Sequence, residues 1–446
     1  MKRWRLGFWI LTTALLLALP ARSGAVPVER FQLEPGVTLL VSRQRQIPMV
    51  FIVMVFPGGT LAEPAGKAGL ADVTAELLQR GTKTHPGEQF ATALDTIGAE
   101  MSVNADVDMM IVTLSVLTDH LDDALDLLAE VLSSPALAAK DFKKVRAEAK
   151  AAIKASDENP GTVARRAFLR ALYGDHPYGH LVEGTEASLT SLTREDCAAY
   201  WKTVFAAKGA IITAAGDVKG KKLAGRIRKR LALWLARPGP GRRNPPEFPP
   251  DSTERRFIAI DRPFTQTTIL MGQRGISRTD PAYYALEVFN YVLGGGGFSS
   301  RLLDEVRDNR GLAYGVSSDF DTRLLPGPFE IQLQTKNASA REALALVREV
   351  MNRSLEEGIT AEEIDNAKAY LIGTYPRRYD TDAKMAQFLA ATAFYGLGAD
   401  YDQVYPEKIR GVTREAAMQA ARGLLAPDRF VTVAVGRLDQ AGLGEK

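Results

Sequence analysis

The chain has 446 residues, 46% apolar and 24% charged, with a formal net charge of +3. This is a globular composition, long enough for two domains with sizeable cores, and it excludes a disordered chain or a coiled coil. Four of the positive charges (Lys2, Arg3, Arg5, Arg22) lie in residues 1–25, without which the net charge is about −1, so overall charge gives no argument for nucleic-acid binding.

In chain order, the first feature is a leader. Basic residues at Lys2, Arg3 and Arg5 precede an apolar run from Leu6 to Leu19, which ends at Pro20 and the small residues Ser23 and Ala25. The pattern is that of a cleaved secretory leader (residues 1–25), with cleavage expected before Val26, and the run is short for a membrane span. No later segment is apolar for long enough to cross a bilayer. Cys197 is the single cysteine. An exported chain without disulfides fits a bacterial periplasm, where a large core suffices for stability.

An apolar strand is predicted at "MVFIVMVFPGG" from Met49. "GLADVTAELLQRGT" follows, a helix framed by Gly69 and Gly81 with Leu70, Val73 and Leu77 on its hydrophobic face. "MMIVTLSVL" from Met109 predicts a strand, and "LDDALDLLAEVL" and "AAKDFKKVRAEAKAAI" predict two amphipathic helices. His85 precedes Pro86 in a loop and His120 opens a helix; neither is expected to have a partner. His176 and His180 are four apart, but Pro177 and Gly179 between them specify a turn. Cys197 lies on the amphipathic helix "REDCAAYWKTVF", where a buried small hydrophobe is expected rather than a nucleophile. "AIITAAGDV" from Ala210 predicts a strand. "KGKKLAGRIRKR" is basic, but the spacing of Leu223 and Ile227 makes it a solvated helix face.

"RPGPGRRNPPEFPP" (Arg237–Pro250) carries six prolines in 14 residues, a stiff extended linker. It separates an N-terminal domain (26–236) from a C-terminal one (251–446). The second domain repeats the first: strand at "TTILMGQRGI", helix at "DPAYYALEVFNYVLGG", strand at "PFEIQLQT", helices at "SAREALALVREVM" and "TAEEIDNAKAYLI", closing strand at "FVTVAVGRL". Leu125 matches Leu344 and Phe142 matches Ile364, at offsets of 219 and 222 residues, so an internal duplication is expected. The fold class expected is α+β: two homologous domains, each a mainly antiparallel sheet covered by helices, in a clam-shell arrangement.

Within the second domain, "GGGGFSSR" (Gly294–Arg301) lacks the lysine of a phosphate-binding loop, so close backbone packing or a hinge is expected. In "SSRLLDEVRDNRGLAYGVSS" a helix is expected from about Ser299 to Asp308, stopped by Gly311, with a strand from about Ala313. Arg307 falls in the last helical turn and Tyr314 at the strand's start. On these residues alone, Arg307 complementing the helix dipole and Tyr314 packing on the sheet remains open.

The stretches "PGGTLAEPAGKAGLADVTAELLQRGT", "HPYGHLVEGT", "LTREDCAAYW" and "GGGGFSSRLLDEVRDNRGLAYGVSS" together resemble the pitrilysin/insulysin family of zinc peptidases. The branch resembled is that of the mitochondrial processing peptidase and its small bacterial relatives. The family's His-x-x-Glu-His helix places two zinc ligands on one face, with a glutamate that activates water. Laid on this chain, the first histidine falls at Asp72, the catalytic glutamate at Ala75, the second histidine at Glu76, and the third ligand at Ala152 or its neighbour Ala151. Glu148, one turn earlier, is the nearby substitute, and Asp72, Glu76 and Glu148 leave open a weak oxygen site for a harder cation. Arg307 and Tyr314 match the family's arginine–tyrosine pair, which the resemblance implies holds substrate and stabilises the oxyanion across the chamber.

The resemblance therefore implies a chain that binds no zinc itself. It would supply Arg307 and Tyr314 in trans to a homologous zinc-bearing subunit, as a heterodimer acting on peptides in the periplasm. The alternative is an inert structural or peptide-binding scaffold resembling the core subunits of respiratory complexes.

Overall fold

The computed structural model describes residues 26–237, 239, 246–250 and 256–443. The expected leader and the middle of the Pro-rich linker lie outside the described residues.

The first half builds a sheet from β1 (Glu29–Glu34), β2 (Val37–Arg43), β3 (Met49–Pro57), β4 (Glu100–Ala105), β5 (Met109–Leu117) and β6 (Ile211–Gly216), in the order β1-β2-β6-β3-β5-β4. The second half uses β7 (Arg256–Asp261), β8 (Gln266–Arg274), β9 (Ala313–Phe320), β10 (Pro328–Lys336) and β11 (Val431–Gly436), in the order β7-β11-β8-β10-β9. Among the described strands, only β2–β6 and β7–β11 pair in parallel. Register repeats with topology: Met49 faces Leu117 in one central hairpin and Gln266 faces Lys336 in the other. Two mainly antiparallel α+β units from one duplicated plan are what the sequence predicts. β3 and β11 are apolar almost throughout because they are central and covered on both faces, whereas β9 at an edge alternates buried and exposed.

The principal helices of the first half are α1 (Leu70–Leu78), α2 (Leu121–Ser133), α3 (Ala139–Ser156), α4 (Pro160–Tyr173), α5 (Arg194–Val204) and α6 (Gly220–Arg230). Those of the second are α7 (Tyr283–Asn290), α8 (Ala340–Glu356), α9 (Ala361–Thr374), α10 (Asp382–Phe394), α11 (Tyr401–Arg410) and α12 (Arg414–Leu424). Most pack on one face of their own sheet. α4 and α10 cross over. Phe168 and Leu169 of α4 pack on Leu270, Val433 and Val435 of the second sheet, and Leu389 and Ala390 of α10 pack with Val53, Val55 and Ala215 of the first.

Polar contacts seal the exchange. The Tyr173 hydroxyl donates to the Pro326 carbonyl at 3.2 Å, and the Tyr395 hydroxyl donates to Asp108 Oδ2, also at 3.2 Å. Buried Asp108 also accepts from the Tyr178 hydroxyl and from Leu324 N at 2.7 Å. Arg165 of α4 spans Glu330 (2.5 Å) and Asp321 (3.2 Å). The halves are thus joined by much more than the linker. The linker's described end is itself docked: Phe248 packs 4.5 Å from the His176 ring and 5.5 Å from that of Tyr173.

Two expected helices are interrupted. The helix at Tyr283 continues as a π-helical turn over Tyr291–Gly295, and the segment 301–309 is a short α turn followed by a π turn over Asp304–Asn309. Gly294 explains the close packing there: a side chain at this position would meet the Ser318 backbone N at 2.6 Å.

Because α10 completes the first sheet, Leu389→Ala should destabilise both halves together, by about 2–5 kcal/mol for a fully buried leucine. Trp201 and Trp234, the tryptophans beyond the leader, both sit in the first half. Their fluorescence and the far-UV circular dichroism should lose structure at one shared urea midpoint, lowered by the substitution. Separate transitions, or a fluorescence midpoint that ignores Leu389→Ala, would contradict the interlock.

Candidate functional site

α1 is positioned from its N-terminus. Gly69 enters it in the left-handed region (φ 90°), and a side chain there would strike the Glu183 carbonyl at 2.7 Å. The Glu63 carboxylate, 2% exposed, accepts from Ala71 N at 2.8 Å and caps the helix. Burial pushes that carboxyl well above its ordinary range, against the lowering by the backbone N–H groups of Ala71, Gly69 and Leu70. Leu70, Val73 and Leu77 are buried, as their spacing predicts, and Ala75 joins them at 2% exposure.

Two carboxylates on the outer side of the frame share one cation. Arg80 Nη2 lies 3.0 Å from Glu148 Oε2 on α3 and 3.6 Å from Glu76 Oε2, one turn earlier on α1. Lys144 approaches the other Glu148 oxygen at 4.0 Å. Ala152, one turn beyond Glu148, is exposed and offers no donor. These residues do not fit zinc: the set holds no imidazole or thiolate, and a guanidinium engages two of its carboxylates. The oxygen site left open by the sequence does not assemble either. Among the described residues no group of three His, Cys, Asp or Glu side chains is placed to hold a metal.

Asp72 is the carboxylate that Arg80 does not reach. Burial pushes its pKa up to about 6, helped by the negative charges of Glu183 and then Glu76. Sequence spacing missed Glu183, which is far along the chain. Arg80 was passed over too, though its i+4 spacing from Glu76 was a signal that could have found it.

The histidines are otherwise occupied. His176 Nδ1 accepts from Tyr178 N at 3.0 Å in the expected turn, and burial lowers its pKa to about 4. His180 Nδ1 donates to the Leu181 carbonyl at 2.9 Å. His85 and His120, expected to be without partners, do have them: His85 Nδ1 is 2.9 Å from Glu130 and His120 Nδ1 is 3.5 Å from Asp123. Cys197 is fully buried, and burial raises its thiol pKa to about 11, so it carries no thiolate at neutral pH.

The second cluster stands on the other half. Arg307 lies in the π turn, Gly311 reverses the chain (φ 60°), and β9 opens with Ala313 buried and Tyr314 outward. Tyr314 is 84% exposed, so it does not pack on the sheet. The Arg307 guanidinium carbon sits 5.7 Å from the Tyr314 ring centre and 5.1 Å from that of Phe298, itself 77% exposed. Two aromatic faces thus hold one guanidinium at the surface. The sequence reading singled out Arg307 and Tyr314, which the structure places side by side, but missed Phe298, whose one signal was a lone aromatic after four glycines. Among the described residues, no hydrogen bond or ion pair links this cluster to Asp72, Glu76 or Ala152.

Comparison with known proteins follows this division. Residues 39–186 match the family model for insulinase (peptidase family M16), and residues 191–371 match that for the peptidase M16 inactive domain. The chain is 25% identical over 383 residues to a non-peptidase homologue from Helicobacter pylori, covering 84% of this chain and 86% of that one. It is 30% identical over 320 residues to an uncharacterised zinc protease of Mycobacterium leprae, covering 71% of each. A crystal structure of a peptidase M16 inactive domain from Pseudomonas fluorescens is 30% identical, with a TM-score of 0.86 over 92% of this chain and 98% of that one. A chain of complex III from Candida albicans, 15% identical with a TM-score of 0.78, shares the fold.

Two outcomes follow from this geometry. Elemental analysis of the dialysed protein should return far less than one zinc per chain; one equivalent would overturn the reading of Asp72, Ala75, Glu76 and Ala152. The raised Asp72 pKa means that the folded state binds the proton more tightly than the unfolded chain. Its ionisation therefore costs stability as pH rises from about 4 through about 6. Asp72→Asn should stabilise the protein at pH 7.5 by about 1 kcal/mol and flatten that part of the pH profile in urea titrations, whereas an unchanged profile would refute the assignment.

Proposed function

Because the chain belongs to the insulinase family of peptidases, M16, we propose that it is the non-catalytic subunit of a heteromeric zinc peptidase. It acts in the bacterial periplasm after loss of its leader. A homologous partner carrying His-x-x-Glu-His holds the zinc, which supplies the Lewis acid and the activated water. This chain supplies Arg307 and Tyr314.

The observation that carries this reading is the exposed Phe298–Arg307–Tyr314 cluster on one half, in a chain whose other half keeps the frame with Ala75 at the base position. A solvent-facing tyrosine hydroxyl with no hydrogen-bond partner among the described residues is free to donate to the oxyanion of a tetrahedral intermediate. The guanidinium fork, steadied by two rings and 3.8 Å from the exposed carboxylate of Asp308, can grip peptide carbonyls. With an alanine at position 75, the chain has no carboxylate there to take a proton from water.

One observation favours a second reading, an inert scaffold: the Helicobacter pylori relative carries the name of a non-peptidase homologue. Reconstitution decides between them. Alone, the chain should cleave fluorogenic peptides at background. Mixed with a zinc-bearing homologue it should raise turnover, and Tyr314→Phe should lower that turnover about 100–1,000-fold while gel filtration shows unchanged assembly. Arg307→Ala should also raise KM, since it would touch ground-state carbonyls. Assembly with wild-type turnover in both variants would establish the scaffold instead.

A further inference from the structure

The chain's first described residue makes a contact that its place in the fold does not require. Val26 N donates to Asp402 Oδ2 at 3.0 Å, across the two halves. Asp402 sits in the first turn of α11 and is 8% exposed. Its other oxygen, Oδ1, is buried without a hydrogen-bond partner. Among the described residues no lysine, arginine or histidine forms an ion pair with it. The Asp402 charge raises the pKa of the neighbouring Tyr379 hydroxyl, after the larger effect of burial. Asp402 is thus a buried carboxylate with one neutral donor, an orphan oxygen and no countercharge.

Such a group is costly to bury unless it is paired. Val26 is also the residue before which the leader is expected to be cut. We propose that removal of residues 1–25 creates an α-ammonium at Val26 that pairs with buried Asp402, so that maturation completes the seam between the halves. In the precursor, Val26 N is an amide with one N–H and no charge. Hydrolysis of the Ala25–Val26 bond by a leader peptidase adds the hydroxyl of water to the Ala25 carbonyl carbon and a proton to Val26 N. At neutral pH the products are a carboxylate on the released leader and an ammonium with three donors on the mature chain. The ammonium has donors for both Asp402 oxygens and brings the missing positive charge.

The local structure is ready for this. Val26 and Val28 pack against the cluster formed by α10 and the first sheet, which holds the new terminus in place. Pro27 restricts Val26 to extended backbone, so less freedom is lost on pairing.

The inference rests on the leader reading given above but not on the roles of Arg307 and Tyr314, and its two measurements fail separately. The first is N-terminal sequencing of the exported protein, where Val26 is expected and any other first residue overturns the proposal. The second compares mature protein bearing a free Val26 amine, released from a removable fusion, with the same protein acetylated at that amine. Acetylation keeps one N–H and removes the charge. It should lower Tm by about 2–4 °C in the wild type and by nothing in Asp402→Asn. Equal Tm values for free and acetylated wild type, or a difference that persists in Asp402→Asn, would overturn the pair. Because each comparison is made within one background, a loss of stability from Asp402→Asn itself does not blur the result.

Discussion

The structure depends on a trade of helices. Each sheet has two apolar faces, and each half covers only one of them with its own helices. α4 closes the second sheet and α10 closes the first, with Phe168 and Leu389 deep in the two seams. Neither half can bury both faces alone, so the seam belongs to the core rather than to a domain interface in the usual sense. Asp108, Arg165, Tyr173 and Tyr395 satisfy the polar groups that the exchange traps. The same arrangement fixes the surfaces that matter for function. α1 packs on the first sheet and α3 on α1, the Arg307–Tyr314 cluster stands at the edge of the second sheet, and the exchanged helices tie the two sheets together.

That rigidity explains why the metal frame outlasts its ligands. α1 contributes Leu70, Val73, Ala75 and Leu77 to the main core of its half. The helix is therefore retained for packing whatever its outer face carries. On that outer face Arg80 gathers Glu76 and Glu148, a surface ion-pair arrangement that asks little of either side chain. Asp72 is left without a cation, and burial first, then its acidic neighbours, raises its pKa, a penalty that the fold tolerates.

The parts legible in the sequence were those written in local pattern. β3, β5, β8 and β10 stand out as apolar runs, and the repeated order of elements exposed the duplication. The spacing of Arg307, Gly311 and Tyr314 placed the second cluster because one turn and one strand start separate the two side chains. What escaped had long-range causes. Nothing in α4 marks it as the cover of a distant sheet. Glu183 reaches Asp72 and Glu130 reaches His85 only through tertiary packing. The π turns also escaped, since the close approach seen there, Gly294 against Ser318, is to a strand later in the sequence. The linker reads as a stiff spacer because prolines dominate it, and the Phe248 ring that docks its described end is a single aromatic among them.

The exchange also sets an order of events for a chain made from its N-terminus. When β6 has emerged, every strand of the first sheet is present, but the face bearing Val53, Val55 and Ala215 stays bare until Asp382–Phe394 follows. α4 waits in turn for β8 and β11, and β11 is the last strand of all. A nascent chain therefore carries an uncovered apolar sheet face through most of the synthesis of its second half. Contacts this distant in sequence form slowly. A folding helper that shields that face before α10 arrives would protect the chain where its own design leaves it most prone to aggregation.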